Sequence, residues 1–327
     1  MNISLTLLMA LPLLGAAVLA ALPKTNALLA KQIAFGSTIL VALTTIAIAV
    51  SFERDNINLQ FVESHQWIPS FGINYAVGLD GISLVLILMT TLLAPIVVLA
   101  GWNESQSGRW STKTFYILIL ILEMMAIGVF AATDVFLFYV FFEAMLVPVY
   151  FLIGGYGTGE RSAAAVKFLL YSLFGGLLML ASIIGLYVLS GSQGGHTFDT
   201  QALSQLQMSS TTQNLLFLGF FIAFAIKAPL WPFHTWLPDA ADSATPGTSV
   251  LLLGVLDKVG TFGMIRYCLT LFPDATKTFT PTIIVLSVIW CIPSHRSKRY
   301  KALNRIYIDI SLWLYHYGNF CNDEPRT

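Results

Sequence analysis

An all-α, polytopic membrane helix bundle of about nine spans is the fold class this sequence predicts, and three observations predict it. Of 327 residues, 56% are hydrophobic and only 10% are charged, against roughly 25% charged in a soluble globular domain. Apolar runs of the length that crosses a bilayer as a helix, about 20 residues, recur along the chain as far as residue 292. In the first part of the chain, 53–78 is the only substantial polar connection between them.

The same composition excludes an ordinary water-soluble enzyme. Seventeen Lys+Arg balance seventeen Asp+Glu, so no global field draws nucleic acid or acidic substrates. Cys268, Cys291 and Cys321 are odd in number, far apart and without a Cys-x-x-Cys pair, which argues against a disulfide framework and a metal or iron–sulfur site.

Taken in order, the first span is expected near 3–22; it lacks the basic leader of a cleaved signal peptide and reads as an anchor. A second follows near 33–52. In 53–78, Ile57, Leu59 and Phe61 alternate as in a short strand, and Pro69 and Gly72 interrupt the chain beyond it, so a small extramembrane hairpin is expected. Further spans are expected near 79–101, 114–132, 134–153, 164–190, 214–242 (interrupted), 247–271 and 279–292, each long enough to satisfy its backbone internally.

Loop charges give an orientation, because Lys and Arg near span ends stay on the cytoplasmic side. Lys24, Lys31, Arg109, Lys113, Arg161 and Lys167 flank alternate loops, while Arg54, Arg266 and Lys277 fall in the others. Six against three favours an N-terminus outside. The pair Arg266 and Lys277 runs against the rule, since the loop near 242–247 has Asp242 and no basic residue.

Four ionisable residues stand out within spans: Glu123, Glu143, Lys227 and Lys258, the last beside Asp257. Each costs about 2.5–3.5 kcal/mol at mid-bilayer on insertion scales, so each needs a partner, a water cavity or a function. A structural salt bridge explains one such residue; four, of both signs and in separate spans, point to function. Prolines sharpen this. Pro229 removes the donor for the Ala225 carbonyl two residues before Lys227, and Pro232 and Pro238 follow, so Asn214–Asp242 reads as two half-helices with lysine at the break. Broken helices with an ionisable residue near the midplane mark ion sites in transporters. Pro148 stands likewise to Ala144, next to Glu143, or serves as a packing kink.

Lys167, near the start of its span, either snorkels to the interface or joins a buried relay. His234, in Trp231-Pro232-Phe233-His234-Thr235-Trp236, either passes protons or caps polar backbone at the break. His65 and His196 are in loops and the other two histidines in the tail, without metal or haem spacing. Gly154-Gly155-Tyr156-Gly157 is a turn rather than a phosphate loop, since no strand precedes it. No nucleophile elbow, zinc motif or dinucleotide fingerprint is present, so no redox cofactor is expected in this chain.

The run Phe138-Tyr139-Val140-Phe141-Phe142-Glu143-Ala144-Met145-Leu146-Val147-Pro148-Val149-Tyr150-Phe151-Leu152-Ile153-Gly154-Gly155 closely resembles the antiporter-like membrane subunits, of the subunit M or chain 4 type, of the proton-pumping NADH:quinone oxidoreductase, respiratory complex I. So do Leu79-Asp80-Gly81-Ile82-Ser83 and the stretch from Ala225 through His234-Thr235-Trp236-Leu237-Pro238-Asp239-Ala240 to Asp257-Lys258-Val259-Gly260-Thr261. The resemblance covers roughly residues 1 to 290. It implies an antiporter-like fold with two inverted five-helix repeats, each with a broken helix, forming proton half-channels on opposite sides of the membrane. Here the first repeat is complete and the second missing. It divides the chain into 1–113, a three-helix segment with the hairpin; 114–271, a five-helix half-channel; 272–290, the first helix of the second repeat; and 291–327, a basic tail.

On these motifs Glu143 matches the family's glutamate of the first repeat and Lys227 the lysine of its broken helix. Lys258 matches the lysine leading protons to the second half-channel, and Glu123 the acidic residue of the fourth helix. Burial disfavours both charges of a Glu–Lys pair while proximity favours both, so Glu143 near Lys227 holds the lysine's proton and separation releases it toward Lys258 through hydroxyls, His234 and internal water. The implied partners are the other membrane subunits of complex I, the lipid bilayer and protons. NADH, FMN, iron–sulfur clusters and quinone belong to partner subunits, and the location is the cell membrane. A multi-subunit cation/proton antiporter shares the same Glu and Lys placements, and an inert truncated product is a further alternative. After Trp290 the sequence departs from the family: Arg296, Lys298, Arg299, Lys301 and Arg305 crowd together, and Ile306, Ile308, Ile310, Leu312 and Leu314 alternate as in a strand too short to span. A frame change near Cys291 accounts for this; a basic cytoplasmic tail is the alternative.

Overall fold

The computed structural model describes residues 4–23, 26–104 and 108–294. The basic cluster from Arg296 and the alternation at Ile306–Leu314 lie outside these described residues. Half of the α-helices begin where a short polar side chain accepts the otherwise orphaned N–H groups of the first turn. Ser4 caps α1 (Leu5–Ala21), Asp80 caps α3 (Gly81–Ala100) and Ser111 caps α4 (Thr112–Ala131). Asp134 accepts from Phe136 and Leu137 N–H at the start of α5 (Val135–Ala144). Ser209 caps α9 (Ser210–Lys227) and Thr245 caps α11 (Pro246–Leu251).

Among the described residues, seven helical segments are long and apolar enough to cross a membrane, and α1 is a shorter apolar helix. The chain is thus a polytopic membrane helix bundle. Three of the spans are not simple helices. α5 breaks at Met145 and continues as α6 (Leu146–Tyr156). α9 ends at Lys227 and resumes, after a 3-10 turn at Phe233–Thr235, as α10 (Trp236–Ser243). The eighth span comprises α11, a π-helical turn Leu252–Leu256, α12 (Asp257–Gly263), a second π-turn Met264–Cys268 and α13 (Leu269–Leu271).

The remaining helices are α2 (Ala27–Val50), the long α7 (Arg161–Ser192), the short α8 (Thr200–Ser204) and α14 (Pro273–Ser294). α2 starts earlier than its apolar run suggests. Lys31 is therefore a buried helical residue with its ammonium 5.5 Å from the Trp102 ring centroid, rather than a loop charge. On α7, Val166, Leu170, Leu173, Leu177, Ile184 and Val188 are exposed, an apolar stripe suited to lipid.

The hairpin pairs β1 (Gln60–Ile68) with β2 (Ile73–Leu79), His65 opposite Tyr75. Ile57 and Leu59 precede the strand instead of belonging to it, and Pro69–Phe71 with Gly72 (φ 66°) makes the turn. Glu63 anchors the hairpin: its carboxylate accepts from Leu5 N–H, from Thr6 N–H and from the Thr6 hydroxyl, which also meets Tyr75 Oη at 2.8 Å. Burial pushes this carboxyl up, but hydrogen bonds from Thr6, Ser4 and the Leu5 and Thr6 amides outweigh it and hold Glu63 below its ordinary value.

Loops fall into two groups that meet only among themselves in the contacts that fix the bundle ends. The hairpin, 132–134 and 196–200 join through Thr133 N–H to Ala76 O, Val135 N–H to Phe198 O and Thr200 N–H to Thr133 O. At the other end Lys113 donates to the carbonyls of Ala20 and Leu22, Thr158 N–H to Ser243 O, and Gly247 N–H to Glu104. Successive spans therefore run antiparallel.

Candidate functional site

The interior charge of interest begins with α9, whose last residue, Lys227, is 1% exposed. Its ammonium lies 4.7 Å from the centroid of the Phe142 ring, and Nζ has no hydrogen-bond partner. Glu143, next to Phe142 on α5, is half-buried, and its Oε1 is likewise without a partner. The two do not form an ion pair, yet each lies in the other's field. Buried polar atoms are nearly always hydrogen-bonded, so two facing charged groups, each with a buried atom lacking any partner, form an unusual site.

A glycine pair on α7 makes room for it. A Cβ on Gly176 would fall 1.6 Å from Glu143 Oε1 and 2.4 Å from Cδ. On Gly175 it would fall 3.1 Å from Ala223 Cα and 3.0 Å from Ile226 Cδ1 of α9. One glycine thus admits the carboxylate and its neighbour admits the helix of Lys227.

At the break the carbonyls of Phe224, Ala225 and Ile226 are satisfied by protein. The Ala225 carbonyl, which Pro229 deprives of its usual donor, accepts from Leu230 N–H at 2.8 Å; it is not left free as the proline spacing suggests. Ile226 O accepts from the buried Trp236 indole Nε1–H at 2.8 Å. Lys167 donates to Thr235 O at 2.9 Å and to Asp239 Oδ2 at 2.7 Å, and the Thr235 hydroxyl meets Tyr171 Oη at 3.0 Å. Lys167 is thereby a tether of the half-helix, about a third exposed at 35%. His234 stands in the field of Lys167, so the structure groups these two together at the half-helix.

Lys258 sits on α12 with Nζ 3.4 Å from Asp257 Oδ2. Its side chain is 30% exposed, less buried than its mid-span position suggests, whereas that of Asp257 is 3% exposed with Oδ1 unpartnered. The two lysine-bearing segments touch: a Cβ on Gly260 would lie 2.6 Å from Ala228 N, one residue past Lys227. Glu123 stands apart. It is buried on α4 with both carboxylate oxygens unpartnered, beside a cavity of about 10 Å³ lined by Thr90 and Ala94 of α3 and Leu251 and Val255 of the eighth span. That volume is about one water's worth.

The sequence pointed to the charges but not to Gly175, Gly176, Trp236 or Gly260. A Gly-Gly pair within an apolar run, where small residues let helices approach closely, was the available signal.

Residues 6–129 match a family model described as NADH-ubiquinone oxidoreductase chain 4, amino terminus, and residues 132–292 one described as NADH:quinone oxidoreductase/Mrp antiporter, TM. NADH-quinone oxidoreductase subunit M of Mycobacterium tuberculosis is 46% identical, over 88% of this chain and 58% of its own. NADH-ubiquinone oxidoreductase chain 4 of Marchantia polymorpha is 38% identical, over 86% and 56%. Among solved structures, respiratory complex I from Thermus thermophilus aligns with a TM-score of 0.79 at 29% identity, over 94% of this chain and 63% of that one. The Mrp complex from Dietzia sp. aligns at 0.81, and at 22% identity it shares the fold alone.

A buried lysine with a half-buried glutamate in its field beside a broken helix, in a bundle of this topology, defines the class of antiporter-like membrane subunits. Within that class, the chain belongs to the NADH-quinone oxidoreductase subunit M, or chain 4, family. It spans somewhat over half the length of these curated relatives.

Proposed function

We propose that this chain is a proton-translocating membrane subunit of an NADH:quinone oxidoreductase, carrying protons across the cell membrane while partner subunits move electrons from NADH to quinone. The observation that carries this reading is the Glu143–Lys227 pair: a buried lysine and a half-buried glutamate in each other's field, with Nζ and Oε1 lacking any hydrogen-bond partner, at a helix end where the Ala225 and Ile226 carbonyls are already engaged. Such a pair exchanges protons rather than bonds. When Glu143 is close and ionised it favours the ammonium; when it withdraws or is neutralised, burial of Lys227 favours the free amine, and the proton leaves toward Lys258 on the segment in contact with the break. Lys167 and His234 hold and line the half-helix, and Glu123, apart from the pair beside its own small cavity, is a further proton-carrying group.

In this reading 1–113 is scaffold, 114–271 is a half-channel and 272–290 begins a second repeat. NADH, FMN, iron–sulfur clusters and quinone are held by partner subunits, and other membrane subunits flank this one. The N-terminus lies outside. That orientation rests on the loop charges, among which both Arg266, which opposes it, and Lys167, which favours it, are held in ion pairs.

Glu143→Ala and Lys227→Ala in the complete subunit test the reading. NADH-driven proton uptake by inverted vesicles is expected to be abolished or strongly reduced with assembly largely intact, and near-normal uptake rejects the relay.

A further inference from the structure

The eighth span carries Lys258 in an unusual setting. α12 is only seven residues long and is bounded on both sides by a π-turn, Leu252–Leu256 and Met264–Cys268. A π-turn holds an extra residue, so its place along the helix sets the rotational phase of everything beyond it, and such turns are common at functional sites. Whatever pins the π-turns therefore sets the direction in which Lys258 points.

Both ends of the span are pinned, and by the same neighbour. At one end Gly247 N–H donates to the carboxylate of Glu104, just after α3, at 3.1 and 3.2 Å. At the other, Arg266, inside the second π-turn, pairs through Nη1 with Asp80 Oδ2, just before α3. Asp80 does two jobs at once, because its Oδ1 accepts the Ser83 N–H at 2.8 Å as the cap of α3. The guanidinium also lies 5.9 Å from the Phe262 ring centroid, one turn back on α12. Thr276 closes the turn by donating its hydroxyl to the Cys268 carbonyl at 2.8 Å.

We infer that the Asp80–Arg266 ion pair is a positioning device: α3 holds the second π-turn in place and thereby fixes the rotational setting of Lys258 against the break at Ala228. This rests on the proton-transfer role of Lys258. Neither Asp80 nor Arg266 touches the transferred proton; both act through the helix that carries Lys258.

The test is a charge series in the assembled complex: Asp80→Asn, Arg266→Gln, the charge-keeping Arg266→Lys, and Lys258→Ala as reference. Asparagine caps helices as well as aspartate, so Asp80→Asn keeps the cap and removes only the pairing charge. The readouts are the assembled band on native gels, NADH:quinone reductase rate, and protons taken up per NADH by inverted vesicles. Asp80→Asn and Arg266→Gln are each expected to lower protons per NADH by about threefold or more with the assembled band retained, and Arg266→Lys, which keeps the pairing charge and the α3 cap, to retain more than half of the normal value. Normal stoichiometry in Asp80→Asn and Arg266→Gln, with Lys258→Ala impaired, overturns the positioning role. If Asp80→Asn and Arg266→Gln lose the assembled band, retention of both band and stoichiometry by Arg266→Lys supports it, and loss of either in Arg266→Lys overturns it. Normal stoichiometry in Lys258→Ala overturns the proton role of Lys258 itself and the positioning role with it.

Discussion

Gly176→Ala perturbs the buried pair without removing a charge, and the structure says by how much. A Cβ at 176 would sit 1.6 Å from Glu143 Oε1, 2.4 Å from Cδ and 3.0 Å from Oε2. Carbon and oxygen do not approach within 3.0 Å without bonding, so the carboxylate must retreat by about 1.4 Å or the helices must part. For two unit charges starting about 4.5 Å apart at an effective dielectric of about 20, a retreat directly away from Lys227 weakens their coupling by about 0.9 kcal/mol, roughly fourfold in an equilibrium constant. If the retreat is blocked, overpacking costs about 1–3 kcal/mol instead. Either way proton exchange between Glu143 and Lys227 is disturbed while both side chains remain. Protons taken up per NADH by inverted vesicles should fall about threefold or more, with the quinone reductase rate measured alongside. Gly175→Ala is the control: its Cβ would press on Ala223 and Ile226 at 3.0–3.1 Å and leave the carboxylate alone, so it should act through stability. Unchanged proton stoichiometry in Gly176→Ala with the subunit assembled would refute the claim that the position of Glu143 governs the relay.

Other outcomes derive from the same contacts. Trp236→Phe keeps the ring but removes the donor to the buried Ile226 carbonyl, and should lower stability by about 1–3 kcal/mol, read as earlier thermal unfolding in detergent. Lys258→Arg keeps the charge but holds its proton too tightly to relay it; pumping should fail, and retained pumping makes Lys258 a fixed charge. Glu63 is held below its ordinary value by the α1 amides and Thr6, so its contribution is complete at neutral pH and is lost as pH falls through the carboxylate range and below. Amide exchange at the start of α1 should accelerate at acid pH in the wild type and already be fast at neutral pH in Glu63→Gln; equal protection in both sinks the anchoring role.

Much of the fold was legible because membrane helices obey a simple rule: an apolar run must satisfy its own backbone. The expected runs at 114–132 and 134–153 are the helices Thr112–Ala131 and Val135–Tyr156. What periodicity misplaced were edges. α2 begins at Ala27 because helix formation does not require apolar side chains, so Lys31 was drawn inside and stacked near Trp102. The strand starts after Ile57 and Leu59 because pairing, with Gln60 opposite Leu79, depends on the partner and not on alternation in one segment. The charged residues were legible as anomalies in oil. Their company was not: no spacing rule reveals that Asp80 meets Arg266, or that Glu143 rests on Gly176, since these are contacts between distant spans.

The treatment of the two kinds of polar group at the break argues for a movable proton and against a fixed bound ion. A site that coordinates a cation with unwound backbone needs carbonyls turned toward the cavity. Here the carbonyls of Phe224, Ala225 and Ile226 are engaged by Ala228 N–H, Leu230 N–H and the Trp236 indole, while Glu143 Oε1, Lys227 Nζ and Asp257 Oδ1, all on titratable side chains, are among the buried atoms without a partner. Replacing Trp236 by Phe would free one carbonyl, Ile226 O, without touching a charge. If the break passes protons through side chains alone, that variant assembled at permissive temperature should pump with unchanged stoichiometry and no dependence on sodium. Sodium-dependent transport in the wild-type complex, abolished by altering the break, would show that backbone oxygens take part and would overturn the side-chain relay.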